Sequence, residues 1–381
     1  MGYSKAEEQS IRMQASVQEW ARSGLLDAGQ AAKLAEEVRP SLQCTNIFLR
    51  AVLFVFTGLV VFALVLLVLF RIDVRDSHAV AAIYGIAAIA SFSLAEFVIA
   101  RFRVYRFGVE EALAAASVVL AVCTTVQIES HSDFSSNVAL ALAVAAAGSL
   151  VVYIRFGFVY AGIAAIACAA TIPFPIVHSE VMSRVAAAAV LAAMFWLTGM
   201  RYRVYGDEYP GEDYAAFQSV AWVGLYVVAN LKMTSAGINS GWFYWTTYVL
   251  IWLLPAAGLW IGIRGKDRFL MDTSIAMALA TLATNKTYLG LQHQTWDPML
   301  LGILLVGLAV IVRRWLAGGL KGERYGFTPV RILNKDAQLM TVVGTASAVL
   351  HPGLAAHEPP AAQQPRFDGG RSGGAGATGQ F

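Results

Sequence analysis

The sequence predicts an all-α, polytopic integral membrane bundle of about ten transmembrane helices, preceded by a small N-terminal helical hairpin. Hydrophobic residues make up 57% of the 381-residue chain and charged residues 14%, against about 45–50% and 25% in an ordinary soluble domain. Apolar runs recur at 51–70, 79–100, 107–127, 136–154, 156–177, 182–200, 215–231, 242–263, 269–285 and 297–315. Each is near the ~20 residues that cross ~30 Å of hydrocarbon, where only a helix or a closed barrel satisfies the backbone. Lys and Arg are also unevenly shared between alternate loops. The chain divides into a hairpin (1–47), the bundle (48–317) and a Pro/Gly-rich tail (318–381).

The hairpin comes first. Residues 5–23 and 28–38 read as helices, with Gly24 ending the first and Asp27 capping the second while Gln30 supplies the reciprocal half of a capping box. Trp20, Leu25, Leu26 and Leu34 close an apolar seam. Residues 1–41 hold five basic and six acidic side chains, so phosphate binding is disfavoured and no nucleic-acid partner is expected. Residues 5–38 are expected to dock a cytoplasmic protein partner or to form a lid on the bundle.

In the bundle the spans between 107 and 200 are rich in Ala and Gly, and Gly148 and Gly162 are placed at helix contacts, since small residues let backbones approach closely. The eighth span is interrupted by Pro255, which frees a carbonyl one turn earlier. The ninth, DTSIAMALATLATNK, is short and polar, and is expected inside the bundle. A broken helix beside a polar one marks either a midplane site or ordinary packing, and packing is preferred. Trp242, Tyr244, Trp245 and Tyr248 read as an interfacial aromatic belt rather than a ligand cage. Beyond residue 317 the chain is too polar and Gly-rich to bury a core, and is expected to be flexible.

One set of loops holds Arg101, Arg103, Arg106, Arg155, Arg201, Arg203, Arg264, Lys266, Arg268, Arg313, Arg314, Lys321 and Arg324; the other holds Arg71, Arg75, Arg184, Lys232 and Lys286. This bias places the first set and both termini in the cytoplasm of a cell whose inner membrane the chain crosses. No signal peptide is expected. Within the basic loops RFRVYRFGVEE (101–111) is echoed by RYRVYGDEYPGED (201–213), four spans later, and RFG (106–108) by RFG (155–157). The echo suggests a parallel internal repeat, or simply the gathering of Arg and Tyr at an inner interface.

Candidate site residues are of two kinds. Glu110 with Glu111, and Glu212 with Asp213, lie at helix starts, where the dipole favours negative charge. They are also possible proton or cation sites, as are the deeper Glu96 and Asp272. Glu96 is expected to snorkel towards the Arg101 cluster. The second kind is histidine. His78, His131, His178 and His293 all fall in expected extracytoplasmic loops with acids nearby: Asp76, Glu129 and Asp133, Glu180, and Asp297 respectively. Convergence of those loops would create a mixed site for zinc or another divalent ion. No tightly spaced catalytic set is visible, and no cofactor is implied. The three cysteines are isolated.

The run WARSGLLDAGQAAKL (20–34) resembles the start of an uncharacterised bacterial family of membrane proteins, in which a short cytoplasmic hairpin precedes a many-helix membrane domain. Trp20, Gly24, Gln30 and Leu34 carry the resemblance; Leu26 stands where Ile is expected. It implies a bacterial inner-membrane protein and assigns no activity. The lipid bilayer is the expected partner of such a fold, and the expected role is movement or sensing of a small solute or ion. The alternative is a non-transporting scaffold whose hairpin recruits a partner.

Overall fold

The computed structural model describes residues 5–22, 26–38, 45–72, 76–128, 134–205, 211–234, 237–265, 267–291 and 297–318, and there is no β-strand among them. Lys5–Arg22 (α1) and Ala28–Glu37 (α2) form the hairpin. The capping box is present: the Asp27 carboxylate accepts from Gln30 N–H at 2.7 Å, and Asp27 N–H donates to Gln30 Oε1 at 3.2 Å. Val17 on α1 is buried, and Ile11 packs against a cluster that includes Ile99, Leu113 and Phe156 of the bundle. Thus α1 rests on the helix ends. Of the seam, Trp20 stays exposed, Leu26 and Leu34 are half-buried, and Leu25 lies outside the described residues.

The bundle follows as α3 (Ile47–Ile72), α4 (Ser77–Phe102), α5 (Val109–Ile128), α6 (Phe134–Phe156), α7 (Val159–Thr171), α8 (Pro173–Ile176), α9 (Glu180–Tyr205), α10 (Gly211–Ala229), α11 (Trp242–Gly265), α12 (Arg268–Tyr288) and α13 (Asp297–Ala317). Among the described residues seven helical units are long and apolar enough to cross a membrane: α3, α4, α5, α6, the α7–α8 pair, α9 and α11. Helices α10, α12 and α13 stand at the other three expected positions. The fifth span is broken because Pro173 has no N–H to continue α7, and the chain restarts as α8. Residues 319–381, where the tail is expected, lie outside the described residues.

Two lobes share one joint. Helix α4 packs extensively on α5, and α9 on α10; α6 bridges α5 and α7, while α7 also touches α9 and α10. With α7–α8 taken as one unit, the pairings α3–α5, α4–α5, α5–α6 and α6–α7 recur four helical units later as α7–α10, α9–α10, α10–α11 and α11–α12. The first lobe is packed with buried alanine, including Ala88, Ala95, Ala112, Ala114, Ala139 and Ala161. Close approach through small side chains supplies dispersion contacts where lipid supplies no hydrophobic drive. Among the seven candidate spans α3 is the least embedded, with only 6% of its apolar window buried.

The basic end of the bundle is where α4, α6, α9 and α11 finish and α5, α7, α10 and α12 begin. Both RFG turns lie there, and both glycines take positive φ, 106° at Gly108 and 74° at Gly157. Gly108 is doubly constrained, because a Cβ there would also collide with the Arg50 carbonyl in the first turn of α3.

Candidate functional site: a basic-end cleft

The carboxylates singled out by the sequence are mostly structural. Glu111 is 2% exposed and meets Arg50 of α3 in a bidentate pair, with Arg50 Nε donating to Oε2 at 2.6 Å and Nη2 to Oε1. Glu110 is wholly buried. Its Oε1 accepts from Phe107 N–H at 2.6 Å, closing the turn before α5, while Oε2 has no hydrogen-bond partner among the described residues. Glu96 does not turn to the Arg101 cluster: Arg155 Nε on α6 donates to Glu96 Oε1 at 2.5 Å. The reason is geometric: α5 packs on both α4 and α6, and Arg155 in the last turn of α6 reaches Glu96 from that neighbouring helix, whereas Arg101 lies on the same helix as Glu96. Asp213 is buried at the start of α10; the side chain of Glu212 lies outside the described residues. Asp272 is exposed, 3.9 Å from Arg268 one turn earlier, on the outer face of α12.

The histidines do not form a described site. His78 and His178 are exposed, and the acids near them are engaged elsewhere: Asp76 caps α4 through Ala79 N–H at 3.2 Å, and Glu180 accepts from Arg184 at 3.2 Å. His131, His293, Glu129 and Asp133 lie outside the described residues, as does the side chain of Asp297. Among the described residues no group of three or more His, Cys, Asp or Glu side chains is placed to hold a metal ion.

The break at Pro255 is absorbed by packing. Pro255 cannot donate to the Ile251 carbonyl, and the Thr281 hydroxyl of α12 donates to it instead at 2.7 Å. Thr281 also meets Tyr226 OH at 2.9 Å; Asn230 Nδ2 donates to Tyr226 OH at 3.0 Å and to Thr284 Oγ1 at 3.1 Å. Leu231 N–H donates to Tyr288 OH at 2.7 Å. This polar network fills the half of the α10–α12 lobe away from the basic end, and its groups satisfy one another. Nearby, the Lys232 ammonium lies 5.3 Å from the Tyr244 ring centroid and 6.0 Å from that of Tyr288.

The basic half of the same lobe is open. A cleft of about 1000 Å³ runs between α9, α10, the end of α11 and the start of α12, lined by Phe195, Gly199, Tyr202, Arg203, Val204, Gln218, Trp260, Ile261, Arg264, Gly265, Asp267 and Leu270. Phe195 stands ten residues before the end of α9, about 15 Å along the axis at ~1.5 Å per residue. Arg203 and Arg264 approach from different helices, both exposed, and the Arg264 guanidinium lies 5.5 Å from the Trp260 ring centroid. Neither has a carboxylate within ion-pair distance among the described residues.

Asp267 supplies the third charge. It caps α12, with Oδ1 accepting from Leu270 N–H at 3.3 Å, while its own N–H donates to Gly262 O at 2.9 Å. That tight α11–α12 turn buries Asp267 to 6% exposure and leaves Oδ2 without a hydrogen-bond partner. Burial pushes its carboxyl above the ordinary carboxylate range, against the opposing pull of the Leu270 and Phe269 amides. The sequence reading counted Arg203 and Arg264 only as topology signals and passed over Asp267. The available signal was an Asp one residue before an apolar helical run, an N-cap flanked by two basic residues in GKDRF.

Compared with protein-family models, with curated proteins and with solved structures, the chain matches none. The resemblance over residues 20–34 gains no support there.

Proposed function

We propose that this protein moves or senses a small solute, which enters the α9–α12 lobe from the basic end of the bundle. The observation that carries the reading is the cleft, whose volume is at the upper end of the roughly 300–1,000 Å³ usual for small-molecule sites. It is polar at its mouth, reaches about halfway along α9, and ends below a self-satisfied polar network. The opposite lobe is packed with buried alanine, which suits a rigid frame. In this reading the chain makes about ten crossings of a bacterial inner membrane, with the basic end and both termini in the cytoplasm, where Arg and Lys are retained.

The test uses purified protein in sealed vesicles, challenged with a panel of small anions, sugars and amino acids. Uptake above empty vesicles supports movement, and a rise in thermal stability of the solubilised protein with one of the panel supports sensing. Neither flux nor stabilisation with any of them overturns the proposal. A scaffold reading has one observation in its favour: α1 rests on the bundle through Ile11 yet exposes Met13 and Trp20. Lysate proteins retained by the full chain and lost with Met13→Ser and Trp20→Ser, together with silent vesicles, are the pattern it requires.

A further inference from the structure

We propose that the cleft binds an amphiphilic anion: a phosphate-bearing head between Arg203 and Arg264, and an apolar body along Phe195, Trp260 and Leu270. The inference rests on the cleft being the solute site, and it names the ligand class. Two guanidiniums on separate helices line one opening, and neither is neutralised by a carboxylate among the described residues. Planar forks of this kind suit the oxygens of phosphate or carboxylate groups.

A bare anion does not explain the rest of the wall. Trp260, Ile261, Phe195 and Leu270 offer apolar and aromatic surface deeper in the same cleft, which favours a ligand with a hydrocarbon part. Asp267 adds a polarity requirement. Its buried Oδ2 lacks a donor, so a head carrying a hydroxyl or ammonium group supplies what the protein does not. A carboxylate lining the same cleft as the two arginines also disfavours a purely anionic head, and favours one that carries a donor as well as its charge.

The same chemistry occurs in a membrane lipid headgroup and in a soluble phosphate ester, and the test separates these sources. Isothermal titration in neutral detergent compares dioctanoyl phosphatidylglycerol, glycerol 3-phosphate and dioctanoyl phosphatidylcholine on the full chain. The expected result is binding of phosphatidylglycerol, at least tenfold weaker in an Arg203→Gln, Arg264→Gln double variant and severalfold weaker in Asp267→Asn. Phosphatidylcholine, with no donor and no net charge, is expected to bind at least tenfold more weakly than phosphatidylglycerol.

Glycerol 3-phosphate binding as tightly as the lipid, with the same loss in the arginine variant, overturns the amphiphile assignment, because the apolar wall would then contribute nothing and the ligand would be a soluble phosphate ester. Equal binding of phosphatidylcholine, unchanged affinity in the arginine variant, or no binding of either phosphate ester overturns the proposal. Both arginines are exposed, so that variant is expected to fold even if Asp267→Asn does not. Binding without flux or stabilisation elsewhere in the solute panel bears on the movement reading alone, whereas flux of a neutral solute that ignores both arginines refutes the anion assignment alone.

Discussion

At Glu111 and Glu96 the same chemical pair has two different weights. The Arg50–Glu111 pair joins α3 to α5 with the carboxylate almost fully enclosed, while Arg155 and Glu96 keep 48% and 37% of their side-chain surface open. Removing one partner of an enclosed pair strands the other charge, at about 3–5 kcal/mol when both are buried. Arg50 remains 31% open, so Glu111→Ala is expected to cost about 2–3 kcal/mol, and Glu96→Ala less than about 1 kcal/mol. Thermal unfolding of the two variants in one detergent checks the order. Asp267 gives a pH signature of definite sign. Its folded carboxyl titrates above its unfolded value because burial disfavours the charge, so the native state holds the extra proton between those two values. The associated stability is fully present below the unfolded pKa and is lost as pH rises through the higher folded one. Asp267→Asn keeps an oxygen for Leu270 N–H and should flatten the melting temperature across that window above pH 4, with Arg203 and Arg264 charged throughout.

Helix contacts can be tested glycine by glycine. A Cβ at Gly162 would run into the Phe217 ring, which is held edge-on by Tyr153 at 4.9 Å, whereas a Cβ at Gly148 would meet Val118 at an ordinary 3.4 Å. Gly162→Ala is therefore expected to destabilise by about 1–3 kcal/mol through overpacking, and Gly148→Ala to be near neutral; thermal melts read the contrast. In α11 and α12, Thr281→Val leaves the Ile251 carbonyl without a donor and is expected to cost about 1–3 kcal/mol, with Thr281→Ser restoring most of it in the same melts. These elements also mark what sequence reasoning can reach. The Asp27–Gln30 box, the carbonyl freed by Pro255 and the turn glycines of RFG are local signals, and each was legible within a few residues. Thr281 as the rescuing donor, Arg155 as the partner of Glu96 and Arg50 as that of Glu111 were not, because 30, 59 and 61 residues separate the members of each pair. The cleft was hidden for the same reason: its walls come from four helices, α9 to α12, and no single stretch carries its pattern.

At the level of the whole molecule, the two tightest helix pairs, α4–α5 and α9–α10, both turn at the basic end, with the same pairing order around them. That is the order a parallel duplication requires, and it predicts that introduced cysteines at 103 and 203 are labelled by a membrane-impermeant reagent from the same side. Labelling from opposite faces would refute both the repeat and the ten-span topology. Of the expected histidine site, His131, His293, Glu129 and Asp133 lie outside the described residues, while the acids beside His78 and His178 already serve as a cap and an ion-pair partner. The tyrosine pair around Lys232 has a different consequence. Tyr244 and Tyr288 present the kind of aromatic surface that captures organic cations, but they already face an ammonium tethered to the same chain, half-buried and also donating to Asn239 at 2.7 Å. A tethered competitor acts at an effective concentration in the millimolar range or above, so a freely diffusing amine must outcompete the protein's own side chain to occupy those rings, at the end of the lobe opposite the open cleft.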